Sequence, residues 1–283
     1  MTPGSSMAPR AALHPAFHSE WIVPDWPVPP NVRAFVTTRA GGVSAAPYDG
    51  FNLGTRCGDE AAAVRANRAQ LRAGLPSEPA WLRQVHGARA LDAGRVRGSD
   101  VVDGVAPGVG RELVPAVEHD ADPEADASYT CADGVVCTVL VADCMPVLLA
   151  NQTGTAVAAA HAGWRGMSSG VIEAAIEGMG VAPRDVVAWL GPAIGPAQFE
   201  VGDDVLHAFS QHDPGAAAAF KPYPARSGKW LCDLYALARR RLAALGVSAV
   251  YGGGYCTVNE SRFYSFRRDR QTGRMGAFIW LES

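Results

Sequence analysis

The sequence predicts an α+β or layered α/β domain, because strand-like and helix-like segments follow one another in mixed order. The 283 residues are enough to bury a sizeable core, and a composition of 48% hydrophobic and 19% charged residues is typical of a globular protein. The longest apolar run, over 135–141, is far shorter than a membrane span and is followed by Asp143 and Pro146. A formal net charge of −3 gives no electrostatic reason to bind nucleic acid or an anionic membrane.

One domain is predicted to occupy most of the chain. Residues 1–30 are rich in proline and show little periodicity, which predicts a flexible N-terminal segment. Residues 31–283 are predicted to form a single domain, in which the Gly-, Pro- and Asp-rich stretch 94–124 is a surface excursion.

Hydrophobic periodicity predicts the individual elements. Helices are predicted from Asp59, as N-cap, to Leu75, and over 166–180, 203–209 and 233–245, the last closed by Gly246. Strands are predicted over 32–38, 80–85, 135–142, 147–150, 155–161, 186–190, 249–252 and 275–280.

The cysteines and the N-terminus both favour a reducing compartment. The six cysteines form no CxxC pair, and in a chain of this length their spacing indicates no disulfide framework. The N-terminus lacks a basic region followed by an apolar one, which a standard secretion signal would require. We therefore expect a cytoplasmic protein.

Three potential metal ligands stand at the ends of predicted strands, in Gln84-Val-His86, Ala142-Asp-Cys144 and His161-Ala-Gly-Trp164. Strand ends deliver side chains to a shared cleft. Two imidazoles and one thiolate suit Zn²⁺, and three protein ligands leave the fourth tetrahedral position for water or substrate. Zinc lowers the pKa of bound water to about 7.

The spacing of these three residues alone does not establish a metal site. The three residues match no compact zinc-finger spacing, a buried cysteine is usually a small hydrophobe, and a single histidine is often a hydrogen-bonded core residue.

A series of ordered motifs adds a resemblance to a known family. The motifs are Thr37-Thr-Arg-Ala-Gly-Gly-Val-Ser44, Pro47-Tyr48, Asn52-Leu-Gly54, Gln84-Val-His86, Ala142-Asp-Cys-Met-Pro146, His161-Ala-Gly-Trp-Arg-Gly166, Gly191-Pro-Ala-Ile-Gly195, Cys256-Thr257, Phe263-Tyr-Ser-Phe-Arg-Arg268 and Thr272-Gly-Arg274. Together they resemble the bacterial YfiH family, also called the laccase-domain, polyphenol oxidase or peptidoglycan editing factor family. The resemblance extends over about 32–280.

The resemblance implies a zinc-dependent purine nucleoside phosphorylase acting on adenosine, inosine and methylthioadenosine, with adenosine deaminase activity. It places the zinc ligands at His86, Cys144 and His161, with Cu²⁺ as a possible substitute. It also implies an α+β fold, a layered α/β/β/α-type sandwich with mixed sheets, similar to the catalytic domain of cytotoxic necrotizing factor. The expected partners are small-molecule nucleosides and phosphate, without nucleic acid, membrane or an obligate protein partner.

Phosphorolysis needs a bound phosphate, for which arginine offers bidentate geometry. Arg39, Arg267 and Arg268 lie inside the matched motifs and are candidates, as is Asn52. Solvation or pairing with carboxylates is an equally good explanation for the three arginines. For deamination, Asp143 is a possible proton donor, but as a strand neighbour of Cys144 it could point away from the pocket.

Three other functions remain open. Cys144 could be the nucleophile of a hydrolase that edits a peptidoglycan precursor, with His161 or His86 as its base. A non-enzymatic protein with structural zinc would need a fourth protein ligand. A copper-type polyphenol oxidase is disfavoured, because several copper centres need more histidines than the seven of this chain.

Overall fold

Two β-sheets packed face to face form the centre of the molecule. The computed structural model describes residues 17–98, 122–224 and 226–283. The four-stranded sheet has the order β1 (Val32–Val36), β13 (Met275–Leu281), β5 (Val136–Val141), β2 (Pro79–Ala80). The six-stranded sheet has the order β12 (Ala249–Gly252), β8 (Val186–Leu190), β6 (Met145–Asn151), β7 (Val157–Ala162), β4 (Ala127–Thr130), β3 (Ala90–Asp92). Both sheets contain parallel and antiparallel pairs.

Helices and a small third sheet surround this centre. The third sheet has the order β10 (Phe220–Pro222), β11 (Lys229–Cys232), β9 (Glu200–Gly202). The helices are α1 (Ala61–Arg72), α2 (Ala93–Gly98), α3 (Trp164–Ser169), α4 (Val171–Met179), α5 (Asp203–Ser210), α6 (Leu234–Leu245) and α7 (Phe266–Asp269), with 3-10 turns at Pro183–Asp185 and Pro214–Ala219.

The apolar core lies in three layers. Between the two sheets, Leu148 packs in one cluster with Val139 and Ile279. On the outer face of the six-stranded sheet, α4 and α6 contribute Ile172 and Leu237 to the largest cluster. On the outer face of the four-stranded sheet, α1 packs within an aromatic cluster that includes Phe35 and Phe278 at 5.0 Å between ring centroids. The fold is therefore α+β with several mixed sheets, ordered helix, sheet, sheet, helix; the likeness to cytotoxic necrotizing factor stays a prediction.

The central hairpin β6–β7 has an almost entirely apolar sequence because of its position between two packed layers. Every residue of both strands is buried, because helices cover one face of this sheet and the four-stranded sheet covers the other. Strands buried on both faces show continuous apolar runs rather than alternation. The antiparallel register pairs Met145 with Ala162 and Pro146 with His161, which brings the start of β6 beside the end of β7.

Several elements agree with the sequence. Strands β8 and β12 have the predicted bounds, and α6 ends where Gly246 adopts a left-handed conformation at φ 91°. The helix predicted over 166–180 is instead two helices, because Gly170, at φ 97°, ends α3 and begins α4. The predicted Asp59 cap is also wrong by one residue. The N-cap is Glu60, and the Asp59 carboxylate accepts hydrogen bonds from Ser44 and Asn52 as well as from the Glu60 N–H.

The strand predicted over 80–85 is reduced to Pro79–Ala80. Beyond it, the Gln84 side chain takes the place of a neighbouring strand. Its Nε2 donates to the Leu140 carbonyl at 2.8 Å, and its Oε1 accepts from the Leu140 N–H at 2.7 Å. The backbone therefore no longer pairs with β5 at Gln84, two residues before His86.

The ends of the predicted domain also differ from expectation. Residues 17–30 belong to the packed structure, since Phe17 and Trp21 are buried in the aromatic cluster and Ile22 bridges Val36. Within the expected excursion over 94–124, the structure describes residues 94–98, which belong to α2, and residues 122–124. Glu124 forms an isolated β-bridge with Arg83. Residues 1–16 and 99–121 lie outside the described residues. Within the described part of the chain, no helix is long and apolar enough to cross a membrane.

Candidate metal centre

The three predicted ligands meet at one point. The ligand atoms of His86, Cys144 and His161 all lie within 4.8 Å of one another, and the two imidazole rings approach edge to face at 4.9 Å between centroids. His161 lies in β7, Cys144 in the bend that precedes β6, and His86 in the loop after β2. The hairpin register places Cys144 opposite Gly163, where a Cβ would lie only 2.7 Å from the cysteine Sγ. Glycine at this position therefore leaves room for the thiol.

Two non-glycine residues of the site have left-handed backbone conformations, which such residues adopt rarely. His86 has φ 60° and Asp143 has φ 84°. The Asp143 carboxylate holds its own bend, because Oδ1 accepts from Thr257 Oγ1 at 2.5 Å and Oδ2 accepts from the Arg267 N–H at 2.6 Å. Residues held in such conformations cluster at functional sites.

A buried carboxylate connects the two histidines. Asp126 is fully buried, and its Oδ1 lies 2.8 Å from His161 Nδ1. An ionised carboxylate only accepts, so Nδ1 carries the proton and Nε2 is directed to the ligand position. The same carboxylate accepts from the backbone N–H groups of Val85 at 3.1 Å, His86 at 2.9 Å and Gly87 at 2.7 Å. Asp126 thus orients one ligand and holds the loop of the other.

The electrostatics of the cluster favour a thiolate. Burial alone would raise the pKa of Cys144, but the charge and hydrogen bond of His161, together with His86, lower it to about 6. For His161, burial opposes the charged form, yet Cys144 and Asp126 raise its pKa to about 9. Burial would also raise the pKa of Asp126, whereas the hydrogen bonds from His161 and from the loop lower it below its usual value. Without an ion, the site holds a thiolate beside an imidazolium, and thiolate is the form of cysteine that binds metals.

This pKa shift gives a testable pH dependence. In metal-stripped protein, the rate of Cys144 alkylation by iodoacetamide should rise with pH through about 6 and level off by neutral pH, because only the thiolate reacts. An ordinary cysteine, with a pKa near 8.5, reacts mainly above neutral pH. Mass spectrometry of the Cys144 and Cys131 peptides gives both rates in one sample, since Cys131 is exposed. Equal pH profiles for the two would contradict the thiolate assignment.

The donor set fits a metal ion. Two imidazoles and one thiolate suit Zn²⁺, and the hydrogen bond from a ligating histidine to a carboxylate recurs around protein-bound zinc. Within the described residues, His86, Cys144 and His161 are the whole of this cluster. Three protein ligands are typical of a catalytic zinc site, whereas a structural site usually has four.

The cluster opens into a pocket of about 430 Å³. A volume of this size is within the range of small-molecule sites. The walls combine the metal-site residues with apolar and basic side chains. The lining residues are Gly54, Thr55, Arg56, Cys57, Arg68, Leu82, Gln84, His86, Asp122, Leu140, Ala142, Asp143, Cys144, His161, Ile194, Phe199, Phe266, Arg267 and Arg274.

Comparison with known proteins places the chain in a family. A family model described as multi-copper polyphenol oxidoreductase laccase matches residues 33–282. The chain belongs to this laccase-like family, the YfiH family. One YfiH-family relative, named purine nucleoside phosphorylase YfiH, from Escherichia coli, is 47% identical over 93% of this chain and 99% of its own. Another, a protein of Pseudomonas aeruginosa also named purine nucleoside phosphorylase, is 45% identical over 93% of this chain and 98% of its own.

A solved structure supports the fold of this YfiH-family chain. A crystal structure of a Neisseria meningitidis protein superposes with a TM-score of 0.81 at 46% identity, and the match covers 93% of this chain and 99% of that one. YlmD from Geobacillus stearothermophilus superposes with a TM-score of 0.77 at 31% identity, covering 90% and 93% of the two chains.

The predicted phosphate ligands occupy different places in this YfiH-family chain. Arg267 lines the pocket, but its Nη1 and Nη2 donate to the Glu200 carbonyl and its guanidinium lies 5.5 Å from the Phe199 ring. Arg39 and Arg268 are not among the described residues that line the pocket. Arg39 pairs with Asp49, and Arg268 donates to backbone carbonyls, including that of Thr257 at 2.8 Å.

Asn52 is buried beneath the pocket wall. Its Oδ1 accepts from the backbone N–H groups of Gly54 at 2.9 Å and Arg274 at 2.8 Å, and its Nδ2 donates to Asp59 Oδ2 at 2.8 Å. Asn52 therefore shapes the loop that carries several pocket residues.

Other residues of the matched motifs lie around the site. Asp143 lines the pocket, but both of its oxygens are bonded within the protein. Trp164 packs against the core and under the Arg165 guanidinium at 4.5 Å, and Cys256 Sγ accepts from the Gly195 N–H at 3.3 Å. These contacts are structural.

Sequence reasoning missed Asp126 and three of the pocket arginines. Asp126 stands between two alanines just before β4, but Asp122 and Glu124 are close by in the sequence, so the local pattern did not single it out. Arg56 and Arg274 lie in or beside the matched motifs, but Arg68 lies on α1 and has no motif around it. Tertiary packing brings these three arginines into one pocket, and local sequence does not show it.

Proposed function

We propose that this chain is a metal-dependent purine nucleoside phosphorylase acting on adenosine, inosine and methylthioadenosine. The observation that carries the proposal is the convergence of His86, Cys144 and His161 on a pocket that also receives several arginines. The names of the relatives at 45–47% identity support the reaction class.

Zn²⁺ is the ion we propose, held by His86, Cys144 and His161. When bound there, it would supply Lewis acidity and electrostatic stabilisation of developing negative charge. Cu²⁺ is the expected substitute, because its intrinsic affinity for nitrogen and sulfur donors exceeds that of zinc. Asp126 would keep His161 in the tautomer that presents Nε2, whatever the ion.

In phosphorolysis a phosphate oxygen forms a bond to ribose C1′, and the bond between C1′ and purine N9 breaks. The electron pair of that bond goes to the purine, which gains a proton, and the products are the free base and ribose-1-phosphate, or 5-methylthioribose-1-phosphate when the substrate is methylthioadenosine. The chain must therefore hold an anion beside the sugar and exclude water. Arg267 and the other pocket arginines supply positive charge, and Phe199 and Phe266 offer apolar faces for a purine.

We propose adenosine deamination as a second reaction of the same pocket. That reaction needs an acid to protonate departing ammonia. The Asp143 carboxylate is occupied by Thr257 and by the Arg267 N–H, so it is poorly placed to donate. This favours phosphorolysis as the main activity.

One observation favours a second candidate function. The lowered pKa of Cys144 and its contact with His161 suit a thiolate nucleophile with an adjacent base. We keep a cysteine hydrolase that edits a peptidoglycan precursor as the alternative. Chelation separates the two, since metal removal should abolish phosphorolysis and leave thiolate chemistry intact.

The test uses purified full-length chain incubated with inosine, adenosine or methylthioadenosine, with and without phosphate. We expect equal amounts of free base and sugar-1-phosphate (ribose-1-phosphate from inosine or adenosine, 5-methylthioribose-1-phosphate from methylthioadenosine), only when phosphate is present. Both products should be lost after chelation and recovered on adding Zn²⁺. Free base formed at the same rate without phosphate would contradict the proposal, as would full activity after the metal is removed.

A further inference from the structure

Two guanidinium groups in the pocket wall form no ion pair with a carboxylate of the described residues. Arg68 and Arg274 both line the pocket, and neither has a carboxylate oxygen within 4.0 Å among the described residues. Arginines elsewhere form ion pairs, for example Arg39 with Asp49 at 2.7 Å and Arg240 with Asp213 at 2.7 Å. A charged group withdrawn from water is costly unless something neutralises it.

Arg68 is held by neutral groups. Its Nε donates to the Leu53 carbonyl at 3.0 Å, and its guanidinium carbon lies 3.6 Å from the centroid of the Trp81 ring. Its two terminal nitrogens have no hydrogen-bond acceptor among the described residues. Burial lowers the pKa of Arg68 to about 10, although Asp122 and Glu78 oppose this from beyond ion-pair distance. The planar fork is therefore fixed in direction, and its tip makes no hydrogen bond to a described residue.

Arg274 is also held in place by hydrogen bonds to neutral groups. Its backbone N–H donates to Asn52, and its Nη1 donates to the carbonyls of Thr272 at 2.8 Å and Gly273 at 3.0 Å. A Cβ at Gly54 would lie 2.7 Å from Arg274 Cγ, so glycine makes room for the arginine stem. Arg267 differs, because both of its terminal nitrogens are used by backbone carbonyls.

We propose that Arg68 and Arg274 form a phosphate subsite in the wall of the pocket that holds His86, Cys144 and His161. The inference rests on the proposed function and deepens it, by naming the residues that bind the anion. Guanidinium forks held in a fixed direction match the oxygens of a phosphate dianion, and charge-assisted hydrogen bonds of this kind are strong. The phosphate is either the inorganic co-substrate of phosphorolysis or the phosphate group of a phosphorylated nucleoside.

The test measures equilibrium binding by calorimetry on the metal-containing full chain, with inorganic phosphate, adenosine and adenosine monophosphate as probes. The variants are Arg68→Gln and Arg274→Gln, with Arg65→Gln as the matched control, because Arg65 is exposed on the same helix as Arg68. We expect each pocket variant to weaken phosphate binding by roughly tenfold or more, and the control to bind as wild type does. Melting temperatures identify any variant that is misfolded, and Arg68→Lys then replaces Arg68→Gln, because lysine keeps the charge and loses the fork.

The outcomes separate the two phosphate sources. Arginine-dependent binding of inorganic phosphate supports the subsite and assigns it to the co-substrate. Arginine-dependent binding of adenosine monophosphate, but not of inorganic phosphate, supports the subsite and assigns it to a phosphate ester. Unchanged binding in both variants overturns the inference, as does a wild type that binds neither phosphate compound. Arginine-dependent binding without phosphorolysis would sink the proposed function and leave the subsite standing.

Discussion

Replacement of His161 by alanine should lower kcat/KM for phosphorolysis by roughly 10²–10⁴-fold, because metal stabilisation of developing charge is worth several kcal/mol and about 1.4 kcal/mol corresponds to a factor of ten. His161 is buried and is one of the three residues whose potential ligand atoms lie within 4.8 Å of one another. Rates over a range of inosine concentrations, at saturating phosphate, measure the loss.

His161 also lies in the core, so a second variant guards against misfolding. The His86 side chain is exposed, and asparagine tolerates its left-handed backbone, so His86→Asn should fold normally and still lose activity. His207→Ala, an exposed histidine on α5, is the control and should keep wild-type activity. Wild-type rates in both ligand variants would refute a catalytic metal at this site.

The second large effect concerns Asp126. Asp126→Asn should weaken zinc binding by about 10–100-fold, the usual cost of removing a carboxylate behind a ligating histidine. An amide has one acceptor oxygen and would also present N–H groups to donors, whereas the carboxylate now accepts from His161 and from three backbone N–H groups.

Competition against a chelator of known zinc affinity measures this change without any assay of catalysis. Asp185→Asn is a suitable control, because Asp185 is half-exposed and directly precedes β8, whose first residue pairs with the last residue of β6, at the opposite end of β6 from Cys144. If Asp126→Asn binds zinc as tightly as wild type, the carboxylate does not position the histidines as described.

Elements with strong local signals were predictable from the sequence. Strand β8 is a short apolar run between turns, and the end of α6 is marked by Gly246, so composition and turn chemistry were sufficient. The proximity of His86, Cys144 and His161 was also predicted, because motifs and strand ends both indicated these residues, and their role as metal ligands stays a prediction.

Features that depend on side chains from distant segments were not predictable. The Gln84 side chain bonds to the backbone of Leu140, 56 positions away in the chain, where a neighbouring strand would otherwise bond. No local sequence pattern predicts such a contact. Cys144 was expected at the end of a strand, where Asp143 could point away from the pocket. It lies instead in a bend held by Thr257 and Arg267, and Asp143 lines the pocket. The arginine forks likewise depend on Trp81 and on the room left by Gly54.

X-ray absorption at the zinc edge of the purified protein shows directly whether His86, Cys144 and His161 bind one ion. We expect one sulfur at about 2.3 Å and two imidazole nitrogens at about 2.0–2.1 Å, with the sulfur contribution absent in Cys144→Ser. A spectrum without sulfur, or one with four protein ligands that is unchanged in Cys144→Ser, would contradict it.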